Sequence, residues 1–215
     1  SAIGLPRCLN KIKYLLPKLS LYGNIKSSSI CPNMSEETQK LNQVNMSLKR
    51  KFKDKKLVFG SGFVGAKVVF VGEAPGQDEE NEDKPIAGNK AKLLYQLLKT
   101  AGINKNRVYF TNVLKYCPST LKVPTSKEIK SYVPFLKEEL KTINPILVVT
   151  LGNMALNGIG MRQPLDNVHG RTFNLGSYEL LPTFHPDHAL KDPQIKNLLE
   201  LDFVKLKKLL DSKEA

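Results

Sequence analysis

The chain has 215 residues, 41% hydrophobic and 25% charged, the proportions of a soluble globular protein with room for one compact domain and some additional length. No apolar run approaches the roughly 20 residues that cross a bilayer, so no membrane partner is expected. The formal charge of +13 suits a polyanionic partner, because Lys and Arg that neutralise phosphates release counterions, although a solvated Lys-rich surface accounts for the same figure.

The charge is uneven: residues 1–60 hold 12 Lys/Arg against 3 Asp/Glu, and the rest of the chain is close to balanced. Cys8, Cys31 and Cys117 are odd in number and widely spaced, which fits neither a disulfide framework nor a metal site, and a reducing compartment is the simplest reading. The first 35 residues carry Arg7, Lys11, Lys13, Lys18 and Lys26, a group of serines and no acid. An organelle transit segment and a plain basic tail both fit that composition.

In chain order, a short helix is expected near residues 8–19, then a polar linker, then a basic helix near 35–54. The run Lys67-Val68-Val69-Phe70-Val71-Gly72 is a buried strand by its β-branched content, closed by glycine. After a polar loop, Leu93, Leu94, Leu97 and Leu98 mark one helical face ending at Gly102. A second strand covers Val108 to Val113. Thr125 and Glu128 form a capping box that opens a helix to about Ile143, with Pro134 as an expected kink. A third strand, Ile146 to Gly152, precedes a short helix. A fourth, Tyr178 to Leu181, runs into Pro182-Thr183-Phe184-His185-Pro186, and a last helix carries Leu198, Leu199, Phe203, Leu206, Leu209 and Leu210.

Strands alternating with helices imply an α/β fold with a parallel sheet covered on both faces. Ligands in such folds bind beyond the carboxyl ends of the strands, which selects Gly72 onward, Thr111-Asn112 and the His185 segment. The loop Gly72-Glu73-Ala74-Pro75-Gly76-Gln77-Asp78-Glu79-Glu80 turns tightly and frees backbone N–H groups for an oxygen-rich ligand. It has neither dinucleotide-binding nor Walker spacing. Its four acids suit a water or a cation better than a phosphate, and a solvated acidic turn is the plainer alternative. His185 at a strand end can donate to a developing oxyanion or do acid–base work, or be structural. Asn112 offers a donor and an acceptor that match the amide-like edge of a pyrimidine; the plainer alternative is a turn-forming asparagine.

Taken together, the Gly72–Gly76 loop, Lys84-Pro85-Ile86-Ala87-Gly88, Leu93-Leu94, Thr111-Asn112-Val113-Leu114-Lys115, Leu151-Gly152, Gly170-Arg171 and Thr183-Phe184-His185-Pro186 closely resemble family 4 uracil-DNA glycosylases over roughly residues 58–210. The resemblance implies a three-layer α/β/α domain with a four-stranded parallel sheet over residues 57–215, behind a basic helical or linker extension over 1–56. It implies a DNA base-excision repair enzyme that flips deoxyuridine out of the helix and hydrolyses its N-glycosidic bond, leaving an abasic site. By the same resemblance, Gly72, Ala74, Ile86 and Asn112 would bind uracil. Glu79 would lie near the attacking water, with Glu73 supporting the loop or that water, and His185 would stabilise charge on the uracil O2. Lys84, Pro186, Leu190 and Lys191 would face DNA, Leu190 as a wedge in the base stack and Lys191 on a phosphate. A monomer is expected.

Three departures stand out. Ile86 replaces an aromatic that stacks on uracil in the family, and a base–aromatic stack is worth about 1–3 kcal/mol. The family's four-iron four-sulfur cluster is held by four cysteines, but Tyr116 and Tyr132 occupy two of the ligand positions, so no cluster and no other metal or cofactor is expected. The two rings would instead fill that space by packing on each other. Finally, the Lys-rich extension exceeds the family's usual N-terminus, which suits a DNA-contacting arm or a protein-partner segment. The first two departures keep two alternatives open: a catalytically inactive DNA-binding or protein-interaction module, and a glycosylase for another deaminated base.

Overall fold

The computed structural model of the protein describes residues 35–119 and 124–214; the helix expected near residues 8–19, the linker, Cys8 and Cys31 lie outside them. Every residue of Val68–Gly72 (β2), Val108–Asn112 (β3) and Leu147–Leu151 (β4) is buried, and Glu179–Thr183 (β6) is buried from its second residue on. Such strands need helices on both faces, and their β-branched content suits that environment. They pair in parallel in the order β3-β2-β4-β6. This is the expected four-stranded parallel sheet. The strand count differs at the margins, because two-residue strands Ser61–Gly62 (β1) and Phe173–Asn174 (β5) add antiparallel edges to β3 and β6. Two-residue pairings leave no periodic pattern to read.

Alternation along the strands sorts the core into two halves. Val68, Phe70, Phe110 and Val149 face Leu94 and Leu98 of Gly88–Thr100 (α3) and Leu199, Phe203 and Leu206 of Pro193–Glu214 (α8). Val69, Val71 and Val148 face Leu136 and Leu140 of Ser126–Ile143 (α4) and Ala155 and Leu156 of Asn153–Ile159 (α5). Helix α4 begins where the capping pattern placed it: Thr125 Oγ1 accepts from the Glu128 N–H at 3.2 Å, and the helix continues through Pro134. The Glu128 side chain does not complete the box. Its Oε1 accepts from the Tyr116 hydroxyl at 2.5 Å instead.

Within the extension, Glu36–Lys51 (α1) is helical, close to the expected span, and packs along α4 with Leu41 and Leu48 buried. Just beyond its end Phe52 stacks on Tyr132, with ring centroids 3.9 Å apart, and Tyr116 lies 5.8 Å from the same ring. These rings form a third cluster with Leu48 and Leu114. The acidic segment expected as loop contains the helix Gln77–Glu82 (α2). Its polar sequence has no apolar period, but Glu79 reaches back to the Gly76 N–H at 2.8 Å, and three acids sit in the first turn where the helix dipole favours them. Short helices Leu165–Val168 (α6) and Pro186–Ala189 (α7) complete the chain order. Among the described residues no helix is long and apolar enough to cross a membrane.

Candidate active site

The chain leaves β2 to form β3 on one side and then crosses to β4 on the other, so the strand order reverses at β2, where α/β folds open a crevice. Gly72 and Asn112 are register partners at the ends of β2 and β3. The loop after β2 is tied to the chain after β3 by Val113 N–H to Gly72 O (2.9 Å) and Leu114 N–H to Glu73 O (3.0 Å). A narrow cleft opens there. Gly72, Ala74, Glu79, Ile86, Asn112 and His185 all line it. Its remaining walls are Phe70, Pro85, Lys90, Phe110, Thr111 and Leu151.

Asn112 is buried and its Nδ2 donates to Pro85 O at 2.7 Å, which fixes the amide against the segment bearing Ile86. A Cβ on Gly72 would stand 2.2 Å from Asn112 Oδ1, so only glycine allows the amide this position. Glu79 is 1% exposed. Its carboxylate accepts from Gly76 N–H, Ala87 N–H and Lys90 Nζ, each at 2.8 Å, and so welds the loop to the start of α3. Glu73 does not line the cleft. Its Oε1 accepts from the Met154 N–H at 2.9 Å, capping α5 and joining the β2 loop to the β4 loop. Gly152 makes that approach close, with φ +95° and no room for a Cβ 2.4 Å from Glu73 Oε1.

His185 is the N-cap of α7, and its Nδ1 accepts from the Asp187 N–H at 3.2 Å. That bond leaves the ring proton on Nε2. Burial holds the imidazole below its usual pKa; Asp187 and Glu73 pull the other way, and Lys90 and His188 reinforce burial. A neutral Nε2–H donor results. Pro186 is buried at the first position of α7, whereas Leu190 at its end is 49% exposed and Lys191 beside it is exposed. Lys84 pairs with Glu82 at 2.8 Å in solvent and does not line the cleft.

Two buried polar networks anchor the strands that carry these groups. Behind β3, Glu139 accepts from Tyr109 (3.0 Å), Thr111 (2.9 Å) and Lys115 (2.6 Å), and Lys115 also bonds Thr111. Behind β6, Asp202 of α8 accepts from Thr183 Oγ1 at 2.8 Å and meets His169 Nδ1 at 3.1 Å, while the His169 ring packs on Phe184. Lys90 was missed by sequence reasoning. Its one signal is a cation in the first turn of a helix, where the dipole disfavours it.

At the positions where the resembled family ligates iron, the phenols of Tyr116 and Tyr132 do not fit a cluster. Burial raises both phenols, Tyr132 to about 12, so neither supplies an anionic ligand, and Phe52 fills the space beside them. Among the described residues no three His, Cys, Asp or Glu side chains converge as metal ligands, and Cys117 is a free thiol.

A family model described as the uracil DNA glycosylase superfamily matches residues 59–205. A type-4 uracil-DNA glycosylase of Saccharolobus solfataricus is 36% identical over 175 residues, 74% of this chain and 78% of the relative. Type-4 uracil-DNA glycosylases of Sulfurisphaera tokodaii (34% identical over 70% of this chain and 73% of the relative) and Archaeoglobus fulgidus (33% over 72% and 82%) are similar in extent.

Proposed function

The chain belongs to the uracil DNA glycosylase superfamily, and from that membership we propose that it is a DNA-repair enzyme that excises uracil from DNA by hydrolysing the N-glycosidic bond. The observation that carries the reading is the convergence of Asn112 and a neutral His185 on one cleft beside the Gly72 loop. As the bond to the sugar breaks, the base gathers negative charge and the sugar becomes oxocarbenium-like. A neutral Nε2–H of His185 is the donor that the base oxygen needs, and Asn112 offers a donor and an acceptor to the base edge. The cleft is lined by Phe70, Ile86, Phe110 and Leu151, which exclude water and strengthen each of these bonds.

The two carboxylates divide the remaining work. Glu79, with three donors on it, holds the loop and offers its unused lone pair toward the attacking water. Glu73 supports the loop by holding α5 against it. Leu190, exposed at the end of α7, is placed to fill the gap left by a flipped nucleotide, with Pro186 fixing its loop and Lys191 and Lys84 toward the phosphates. The enzyme works as a monomer, without an iron–sulfur cluster, and the basic extension contacts DNA or a protein partner.

A uracil-containing oligonucleotide, treated with alkali after incubation, tests the reading. Strand scission by the wild-type protein, lost by about 10²–10³-fold in His185→Ala, is the expected result. Scission unchanged in His185→Ala and Asn112→Ala overturns the site; no scission with any deaminated base, beside retained DNA binding, overturns the enzyme.

A further inference from the structure

Lys90 has so far served only to hold Glu79, yet it lines the cleft and stands between that carboxylate and Asp187. Its Nζ is 2.8 Å from Glu79 Oε2 and 3.7 Å from Asp187 Oδ2. The same Asp187 oxygen lies 3.6 Å from His185 Nδ1. The four side chains therefore form a chain, Glu79–Lys90–Asp187–His185, that runs from the loop after β2, through the first turn of α3, to the loop after β6. An ammonium at that point of α3 faces the positive end of the helix dipole, and α3 has no acid in its first turn to balance it. The cation is held there by residues of other elements.

We propose that Lys90 is a positioning residue for the glycosylase reaction: by pairing with Asp187 it keeps that carboxylate from holding a proton on His185, so that the imidazole works as a neutral Nε2–H donor. The groups that face His185 are Asp187 and His188 from α7, Glu73 from the loop after β2, and Lys90 from α3. The two carboxylates favour imidazolium. Of the two groups that oppose them, Lys90 is the one paired with Asp187, at 3.7 Å. Without Lys90, burial and His188 alone oppose Asp187 and Glu73. A protonated ring would turn Nδ1 from acceptor to donor, break the bond from the Asp187 N–H and undo the cap of α7.

The proposal uses the glycosylase reading only for what the neutral donor does; the state of the ring is measurable without a reaction. Nuclear magnetic resonance titration of His185 in the full chain, comparing wild type with Lys90→Met, reads it directly. The midpoint rises by about one pH unit, a tenfold change in the protonation constant. The acid limb of uracil excision moves up in parallel, and Lys90→Arg restores both. A folded Lys90→Met protein whose His185 midpoint stays put, with activity lowered equally at every pH, means a clamp on Glu79 alone and overturns the proposal. Should Lys90→Met fail to fold, Asp187→Asn serves, since that carboxylate is half-exposed: its His185 midpoint must fall, and an unchanged midpoint overturns the proposal equally. Midpoints that move as stated in a wild-type protein that excises no uracil sink the functional reading and leave the Lys90–Asp187–His185 link standing.

Discussion

Tyr132→Phe should stabilise the protein. The Tyr132 ring is 1% exposed, stacked on Phe52 and flanked by Tyr116, while its hydroxyl is buried without a hydrogen-bond partner. Burying an unpartnered hydroxyl costs about 1–3 kcal/mol in proteins. Deleting it while keeping the ring removes that cost and leaves both ring contacts intact, so a gain of about 1 kcal/mol or more follows, or roughly 2–4 °C in Tm for a domain of this size. Tyr132→Ala has the opposite sign, losing about 3–5 kcal/mol as the ring's burial is replaced by a cavity. Urea titrations of the three proteins, fitted with a common m-value, measure both. The pH dependence adds a second reading. The folded-state pKa of Tyr132 is raised from 10.0 to about 12 by burial, so its contribution is complete below pH 10 and drains away as pH rises from 10 to 12. The Phe variant lacks this part of the alkaline loss. A Phe variant less stable than wild type would show that the hydroxyl has a partner, and the reading of its burial as a cost would fall.

Gly72→Ala puts a methyl 2.2 Å from Asn112 Oδ1 and must push the amide aside; a misplacement of this size costs about 10²-fold in single-turnover excision and about 1–3 kcal/mol of stability. Wild-type rates in that variant would remove Asn112 from the reaction. Lys115→Met strands the buried Glu139 carboxylate, and a loss of about 3–5 kcal/mol is expected by chemical denaturation; a loss under about 1 kcal/mol would mean that Tyr109 and Thr111 suffice for that charge. Leu190→Ala should slow excision from duplex about tenfold and spare single strands, which need no wedge to fill a base stack. Equal losses on both substrates would rule the wedge out.

The strands were legible because Val68–Val71 and Leu147–Val149 are apolar on both faces, a pattern that only a covered parallel sheet accommodates. The rule that ligands sit at strand ends then singled out Gly72, Asn112 and His185. What stayed hidden depends on contacts between residues far apart in sequence. Helix α2 exists through Glu79 bonding Gly76 and Ala87, not through a period. Lys90 reads as one lysine among many on a surface helix until Glu79 and Asp187 are seen beside it. Nothing in the spacing of Thr125 and Glu128 foretells that the glutamate leaves its box for Tyr116. Phe52, in a lysine-rich run, gave no sign that it would land on Tyr132.

Asp202, on the last helix, grips Thr183 and His169 at the far edge of the sheet. It lies 17 residues beyond His185 and is wholly buried. Strand β6 pairs with β4 without help from α8, but Thr183 lacks its side-chain partner, and His169 its carboxylate, until α8 has formed. Folding of the segment that carries His185 is thus coupled to a helix that comes after it in the chain.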